Sequence, residues 1–272
     1  MTKKPELKPI QKELLRLFKD LSKLLEKNNI SYLASGGTML GSIREKGFIP
    51  WDDDMDLRMT RPEYDKLINY ARKHNNMIGI FEVKCIELGN SLLPFCKIFD
   101  KRYKLNAKGV EGDEDYLFID IFPIDGTPGS KEDREKFFKD IYKKRKKVGV
   151  SRLTFSGINI TTKKKYLLPI KYLLKVYTLI RGQERIVKEY VDFCKKYNYN
   201  NSDLVCDTVW GDMEKELIEK DALKPIKKTF EDTEINIMVA YDRYLTNVYG
   251  DYMTRPKEGQ YENHDIEIIK VK

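Results

Sequence analysis

The 272-residue sequence has only two histidines, four cysteines and no long uninterrupted apolar run. Zinc sites need clustered Cys or His, and small disulfide-stapled domains need closely spaced cysteines, so neither class is favoured here. No window holds the roughly 18 consecutive apolar residues of a membrane span, and residues 1–10 lack the apolar segment of a secretory signal. We therefore expect a cytoplasmic globular protein whose cysteines are reduced and buried. These are Cys85, Cys96, Cys194 and Cys206.

Charge is abundant, and it is unevenly distributed along the chain. The net charge is +8, yet residues 131–175 alone hold fifteen Lys or Arg against four acidic residues. That segment has a local net charge of +11, so the rest of the chain sums to −3. Its first part, residues 130–149, begins with Ser130 and Asp133 at capping-box spacing and ends in Lys and Arg, which predicts a helix.

The second part of the basic segment, residues 163–181, is amphipathic when placed on a helix. Apolar residues occupy most of the helix surface, and one polar stripe remains. The stripe consists of Lys164, Lys171, Lys175 and Thr178. Two interpretations stay open: a basic element that lies in a membrane interface, or a core helix with a solvated lysine edge.

Apolar periodicity predicts an α/β order before the basic segment and mostly helices after it. The predicted helices, apart from the basic segment, are residues 9–28, 38–47, 60–74, 183–197 and 234–248. The predicted strands are residues 31–35, 54–59, 78–84, 93–99 and 116–122. We divide the chain into a catalytic core, residues 1–129, and a basic, mostly helical region, residues 130–272, which packs on the core and completes the site.

The main chemical signal is a run of aspartates inside this basic chain. Four of the five positions from 52 to 56 are Asp. Carboxylates this close repel one another, so they are kept where they are solvated or where they hold a cation. Residues two apart on a strand point the same way, so Asp54 and Asp56 form a two-carboxylate claw. Asp52 and Asp53 either support that site or lie in a solvated loop.

Two further features fit a phosphate-handling site. Asp120 stands alone in the apolar strand 118–122, where an unpaired buried charge would cost several kcal/mol, so it needs a partner such as a cation shared with the claw. Upstream, the Gly36-Gly37 turn that leads into Thr38 and a short helix exposes backbone N–H groups that can approach a phosphate closely.

Cationic and aromatic side chains add candidates for substrate binding. Lys97 interrupts an apolar strand, which is unusual unless it meets a phosphate or a carboxylate. Arg44, on the short helix after the glycines, is a candidate to fork onto a phosphate. His264 is a weaker candidate. Trp51 and the tyrosines would stack on a nucleobase or cage a quaternary ammonium, unless they belong to the core.

This order of elements resembles the polymerase-beta-type nucleotidyltransferase fold, whose signature is a Gly-Gly or Gly-Ser turn, an Asp-x-Asp pair and a third carboxylate. Within that superfamily the chain resembles the LicD family of phosphotransferases, related to fukutin-type proteins. Three segments carry the likeness: SGGTMLGSIREKGFIPWDDDMDL, LFIDIFPID and LTNVYGDYMTRP. Two positions depart from the pattern: Glu45 stands where a histidine or another polar residue is expected, and Arg255 precedes a single proline.

The resemblance implies an α/β (α+β) fold with a mixed sheet and an added helical region. It implies transfer of phosphocholine, or a related phospho-alcohol, from CDP-choline or another CDP-alcohol to a sugar hydroxyl of a cell-surface glycan. Lipopolysaccharide, capsule and teichoic acid precursors are the acceptors considered, and a lipid-linked precursor would bring the enzyme to the inner face of the membrane. The same carboxylates would hold Mg²⁺ or Mn²⁺, namely Asp54, Asp56 and Asp120, unless Asp120 is instead the base.

Two other functions compete with this hypothesis. A nucleotidyltransferase that moves a nucleoside monophosphate would use the same three carboxylates and release pyrophosphate, whereas the transfer of a phospho-alcohol releases a nucleoside monophosphate. A nucleic-acid-binding protein would account for the basic segment but leaves the aspartates unexplained. Nucleic acid is therefore not an expected partner.

Overall fold

The structure is a computed structural model that describes residues 6–106, 116–257 and 266–271. The helices in these residues are α1 (Pro9–Lys27), α2 (Gly36–Arg44), α3 (Arg61–Lys73), α4 (Lys131–Arg152), α5 (Phe155–Thr161), α6 (Leu168–Arg181), α7 (Gln183–Cys194), α8 (Met213–Glu216) and α9 (Tyr241–Tyr249). The strands are β1 (Leu33–Ala34), β2 (Asp56–Thr60), β3 (Met77–Ile78), β4 (Phe81–Lys84), β5 (Cys96–Asn106), β6 (Tyr116–Gly126), β7 (Leu204–Cys206), β8 (Ile218–Glu219), β9 (Pro225–Phe230), β10 (Thr233–Met238) and β11 (Glu267–Lys270). The predicted α/β class is confirmed.

The main sheet is mixed, as predicted, and its order is β1-β2-β6-β5-β4-β3. Strand β2 runs parallel to β6, whereas β6 pairs with β5 in the antiparallel sense. Strand β11 adds to β5, and β7 pairs with the end of β6. Because β6 lies between β2 and β5, side chains from all three strands meet at one face of the sheet.

Two apolar clusters hold the fold together. The larger contains the buried face of α1, including Leu14 and Phe18, at the predicted helical spacing. It also contains side chains from β10 and α9, near the end of the chain. The smaller cluster joins Phe137 of α4 and Val187 of α7 to Phe122 of β6. The predicted domain division between residues 129 and 130 stays a prediction, and residues on both sides of it share these clusters.

The cysteine prediction is confirmed, since all four thiols are free and buried. Burial raises the pKa of Cys96 and of Cys206 well above the usual value, so these thiols stay protonated and unreactive at neutral pH. The cysteines are therefore core residues.

Three secondary-structure predictions were wrong in detail. The chain after the basic segment is not mostly helical, because strands β7 to β11 lie there beside α7, α8 and α9. The predicted helix over residues 234–248 is strand β10 followed by the shorter helix α9. Ile235 and Ile237 are buried and alternate with the less buried Glu234 and Asn236, which is the two-residue period of a strand. The predicted strand over 78–84 is a hairpin of β3 and β4, because Gly79 adopts a positive φ of 61°.

The basic segment forms helices, as predicted, but in its second part the lysine stripe faces the protein interior instead of the solvent. Ser130 caps α4 by accepting a hydrogen bond from the Asp133 backbone N–H, at 3.1 Å. In α6, Lys175 and Thr178 of the polar stripe are buried. The interpretation as a core helix with a solvated lysine edge is therefore wrong, because the lysine edge faces inwards.

Candidate active site

Strand register brings three of the predicted residues side by side. Asp56 of β2 lies opposite Asp120 of β6, and Lys97 of β5 lies opposite the same Asp120. The Lys97 ammonium is 3.1 Å from Asp120 Oδ1. It also lies 3.6 Å from the centre of the Phe118 ring, an arrangement typical of a cation–π contact. The Lys97 charge, which interrupts the apolar strand β5, therefore forms an ion pair with the Asp120 carboxylate.

The aspartate run wraps around the start of β2. Asp54 is exposed just before the strand, whereas Met55 and Leu57 are fully buried, as the alternation predicted. Asp54, Asp56 and Asp120 together line a cavity of about 300 Å³. On the other side, Asp52, Asp53 and Asp54 have carboxylate oxygens that all lie within 4.8 Å of one another.

Burial and mutual repulsion of these carboxylates raise two of their pKa values. Burial, followed by the neighbouring Asp54 and Asp120 carboxylates, raises the pKa of Asp56 well above its usual value. Burial, followed by Asp54 and Asp53, raises the pKa of Asp52 to about 7. Among the described residues, Asp52, Asp53 and Asp54 are the carboxylates whose oxygens lie close enough to share one ion, and such crowded oxygens are the donor set that Mg²⁺ and Mn²⁺ prefer. The predicted ligands Asp56 and Asp120 adjoin this group at Asp54, across the smaller cavity.

The glycine turn is fastened to the aspartate strand by two hydrogen bonds and a close backbone approach. The Ser35 backbone N–H donates to the Asp56 carbonyl at 2.9 Å, and the Asp56 backbone N–H donates to Thr38 Oγ1 at 2.9 Å. Gly36 has a positive φ of 46°. A Cβ on Gly37 would lie 2.7 Å from Asp52 Oδ2, so a side chain there would displace the Asp52 carboxylate. Gly36 and Gly37 are the first two residues of α2, so the predicted glycine turn is the N-terminus of this helix, which lies against the carboxylates.

A second, larger cavity of about 800 Å³ lies on the other side of the aspartates. Asp54, Asp56 and Tyr249 line both cavities. The larger one is also lined by Gly37, Trp51, Arg44, Arg255 and Lys257. The carboxylates therefore lie between a small cavity and a large one with cationic walls.

Arg44 belongs to a charged triad in the wall of the larger cavity. Its Nε donates to Glu45 Oε1 at 2.8 Å, and its Nη1 donates to the Tyr252 carbonyl at 3.1 Å. Arg255 Nε donates to the same Glu45 oxygen at 3.0 Å. Burial opposes ionisation of Glu45, but Arg255 and Arg44 outweigh it and hold the pKa of Glu45 below its usual value. The two departures from the family pattern, Glu45 and Arg255, thus form an ion pair.

A buried arginine, absent from the sequence-based candidates, ties the site to the C-terminal part of the chain. Arg58 donates to Ser35 Oγ at 2.7 Å, to Glu216 Oε2 at 2.8 Å and to the Tyr244 hydroxyl at 2.9 Å. The alternation of Asp56, Leu57 and Arg58 was the available signal, since it places Arg58 on the same face of β2 as Asp56.

The segment after β7 forms the far wall of the smaller cavity and was also missed. Trp210, Asp212 and Glu216 line it, together with Asp207. The Asp207 carboxylate accepts hydrogen bonds from the Val209 and Trp210 backbone N–H groups, both at 2.9 Å. Burial and the Glu216 carboxylate raise the pKa of Asp207 to about 6. The sequence signal was the local density of acidic residues around one of only two tryptophans.

Asp125, the second aspartate of the motif LFIDIFPID, makes contacts that stabilise the fold. It receives a bidentate pair from Arg61, with N···O distances of 2.6 and 2.8 Å, and a hydrogen bond from Thr208 Oγ1 at 2.8 Å. Arg61 and Asp125 are both buried. This pair fastens α3 and the segment after β7 to the end of β6, and so positions the walls of the smaller cavity.

Other surfaces of the described residues lie away from the aspartates. His264 lies outside the described residues. Among the helices of the described residues, none is long and apolar enough to cross a membrane. Another cavity of about 700 Å³ lies between α1 and the β9–β10 hairpin, lined largely by lysine, glutamate and asparagine side chains.

Fold and site together define an α/β protein with a carboxylate-rich cleft between two cavities. Residues 29–162 match the family described as LicD/FKTN/FKRP, nucleotidyltransferase domain. The lipopolysaccharide cholinephosphotransferase LicD of Haemophilus influenzae is 30% identical over 277 residues, which cover 97% of this chain and 98% of that relative. The chain belongs to the LicD family.

Two shorter similarities are to uncharacterised proteins of Rickettsia. One, from Rickettsia typhi, is 36% identical over 85 residues, or 28% of this chain and 27% of the relative. The other, from Rickettsia prowazekii, is 39% identical over 75 residues, or 23% of this chain and 28% of the relative. Family membership rests on the near full-length similarity to the Haemophilus protein, and it confirms the resemblance inferred from the motifs.

Proposed function

We propose that this protein is a metal-dependent phosphotransferase that moves phosphocholine, or a related phospho-alcohol, from a CDP-alcohol to a sugar hydroxyl of a cell-surface glycan precursor. The observation that carries the proposal is the position of the aspartates between two cavities of different size and lining. The full-length relative, a lipopolysaccharide cholinephosphotransferase, supports the reaction class and favours lipopolysaccharide among the acceptors.

The larger cavity suits the nucleotide half of the donor. Its volume of about 800 Å³ is within the range of small-molecule sites. Arg255 and Lys257 supply positive charge toward a diphosphate, and Trp51 offers a ring on which a base can stack. Arg44 supports the same wall by orienting Glu45 and through it Arg255.

The smaller cavity suits the alcohol half of the donor. Its volume of about 300 Å³ would accept a headgroup of choline size. Trp210 and Tyr249 present aromatic rings, and Asp212 adds negative charge, whereas the Glu216 carboxylate is already paired with Arg58. Aromatic faces with nearby carboxylates are what a quaternary ammonium requires, because it carries charge but donates no hydrogen bond. The scissile diphosphate of such a donor would then lie at the aspartates.

Asp54, Asp56 and Asp120 would hold Mg²⁺ or Mn²⁺, with Asp52 and Asp53 adjacent. When bound, the ion would neutralise charge on the donor phosphates. The Gly36 and Gly37 backbone N–H groups, at the N-terminus of α2, favour the phosphate from the other side. Lys97 holds Asp120 in place through its ion pair, so Asp120 is available either as a ligand or to accept the acceptor hydroxyl's proton.

The acceptor determines where the reaction takes place. A glycan precursor built on a lipid is presented at the cytoplasmic face of the membrane, so we place the enzyme in the cytoplasm with peripheral contact at the inner membrane face. Nucleic acid has no role in this proposal, because the aspartate cleft explains the chemistry and the basic segment lies elsewhere in the fold.

Product analysis tests the proposal directly. Incubation with a panel of CDP-alcohols, Mg²⁺ and a glycan acceptor should release CMP, with CDP-choline the preferred donor. Addition of EDTA should stop CMP release, and excess Mg²⁺ or Mn²⁺ should restore it. The competing nucleotidyltransferase reaction would instead release pyrophosphate from a nucleoside triphosphate. Release of pyrophosphate, or undiminished CMP release in EDTA, would reject the proposed reaction or its metal dependence respectively.

A pair of tryptophan variants tests the division of the donor between the cavities. Trp210→Ala should raise the KM for CDP-choline by about two- to fivefold, since a cation–π contact at a partly exposed ring contributes roughly 0.5–1 kcal/mol. It should leave the inhibition constant of CMP unchanged. Trp51→Ala is the matched control and should weaken CDP-choline and CMP alike. Equal weakening of CMP by both variants would contradict the assignment of the smaller cavity to the headgroup.

A further inference from the structure

Helix α6 is turned so that its lysine stripe faces the protein. Lys175 is 8% exposed and Thr178 is 2% exposed. The Lys175 ammonium donates to the Ser151 carbonyl at 2.8 Å, and the Lys171 ammonium donates to Thr162 Oγ1 at 2.9 Å. The polar stripe of the sequence is thus used for contacts with the ends of α4 and α5.

The orientation has a physical cause. Ser151 lies in the last turn of α4, where backbone carbonyls have no partner within the helix and where the helix dipole favours a cation. Lys175 satisfies one of these carbonyls, that of Ser151. Because the lysine side of α6 is fixed to α4 in this way, the apolar side is turned toward solvent.

The segment from α5 to the end of α6 exposes a series of large apolar side chains. Tyr166, Ile170, Leu173, Tyr177 and Ile180 follow one another at helical spacing and are 46–83% exposed. Ile160 of α5, with Val176 and Leu179 of α6, extends the same surface. We call these eight residues the α6 ridge. Large exposed apolar patches of this kind mark interaction sites.

The chain segment that carries the α6 ridge has charged residues of one sign, and the nearby Glu189 of α7 is paired with Arg181. From residue 153 to residue 182 the chain contains no Asp or Glu. Lys163, Lys164 and Lys165 are exposed at the start of the ridge. Lys147 of α4 lies beside it, with its ammonium 5.7 Å from the centre of the Tyr177 ring. An apolar ridge bordered by cations is complementary to a surface that is apolar inside and anionic outside.

We propose that the α6 ridge docks on anionic phospholipid, with its apolar side chains among the headgroups and the bordering lysines against lipid phosphates. The charge argues against a second copy of the chain as the occupant, because a symmetric contact would bring the same lysines together. The inference builds on the proposed function by naming the surface that meets the membrane of a lipid-linked acceptor.

Vesicle co-sedimentation without substrate tests the ridge. The wild-type protein should sediment with vesicles of phosphatidylglycerol and phosphatidylethanolamine, and should remain in the supernatant with phosphatidylcholine alone. Ile170→Ser, Leu173→Ser and Ile180→Ser, combined, should lower binding to the anionic vesicles by about tenfold or more. The matched control changes three exposed apolar residues elsewhere, Ile80→Ser, Val239→Ser and Ile269→Ser, and should bind like the wild type.

The contribution of charge is tested separately. Lys163→Gln, Lys164→Gln and Lys165→Gln, combined, should weaken vesicle binding, and raised salt should weaken the wild type in the same direction. Lys171 and Lys175 are left unchanged, because each donates a hydrogen bond inside the fold. Replacing either would lower the stability of the protein as well as its charge.

A fluorescent probe tests whether the ridge itself enters the lipid. The four native cysteines are buried, so Leu173→Cys provides a single accessible thiol for an environment-sensitive label such as a nitrobenzoxadiazole. Its emission should shift to the blue with anionic vesicles. The same label at Ile80→Cys should show no shift.

Three outcomes would overturn the inference. The first is that the wild type does not bind anionic vesicles. The second is that the ridge variant binds them as well as the wild type does. The third is that the wild type is a dimer without lipid binding and that the ridge variant is a monomer. Release of CMP with a soluble donor and acceptor should be unchanged in the ridge variant, so failure of the membrane inference is distinguishable from failure of the proposed reaction.

Discussion

Asp56→Asn should lower phosphocholine transfer by about 10³-fold, with the protein fully folded. Asp56 lies on β2 opposite Asp120 and lines both cavities, so its charge acts where the donor diphosphate would bind. The melting temperature should stay the same or rise, because burial and the Asp54 and Asp120 carboxylates already disfavour the ionised form of Asp56. Initial rates of CMP release and a thermal melt without metal measure the two effects.

Two further variants complete that experiment. Asp54→Asn should also abolish transfer, since Asp54 lines the same two cavities. Asp140→Asn is the control, because Asp140 pairs with Lys143 on the surface of α4, outside both cavities. Wild-type turnover in the Asp56 or Asp54 variant would contradict the assignment of these carboxylates to the site.

Asp125→Ala should lower the free energy of unfolding by about 3–5 kcal/mol, because it would leave the Arg61 guanidinium buried without its bidentate partner. Urea unfolding followed by circular dichroism measures the loss. The change is expected in stability, whereas Asp120→Asn, five residues earlier in the same motif, is expected to abolish transfer. One motif thus contains an aspartate of the site and an aspartate of the scaffold.

A double-mutant cycle separates the coupling energy between Arg61 and Asp125 from the cost of leaving either charge buried alone. Arg61→Ala combined with Asp125→Ala should cost less than the sum of the two single changes, because neither charge is then left alone in the interior. Additive losses, or an Asp125→Ala variant that unfolds at the wild-type urea concentration, would show that the pair contributes no specific coupling.

The local sequence pattern determined several helices, the buried face of β2 and the main residues of the candidate site. Helical spacing located α1 and α7, and alternation placed Met55 and Leu57 in the core with Asp56 on the opposite face. The glycine turn, the aspartate run and the isolated Asp120 indicated a phosphate-handling site from the sequence alone. These features are readable because side-chain direction in a helix or strand depends only on the position along the element.

Only the tertiary structure decided which groups meet. The sequence left Lys97 facing either a phosphate or a carboxylate, and the register of β5 against β6 placed it on Asp120. The Trp210 segment, distant along the chain, reaches the cleft through the pairing of β7 with β6. Likewise, Arg255 meets Glu45 across 210 positions of sequence. Such pairings depend on long-range packing and strand register, which no local period encodes.

Helix α6 shows the limit of local pattern most clearly. Its residue order defines an apolar side and a lysine side but not which of them turns inwards, so the sequence left two interpretations open, and the ordinary preference for buried apolar residues does not hold here. The deciding contacts are hydrogen bonds from Lys175 to the end of α4 and from Lys171 to the end of α5. The amphipathic pattern was therefore a property of the sequence, and its direction a property of the assembled fold.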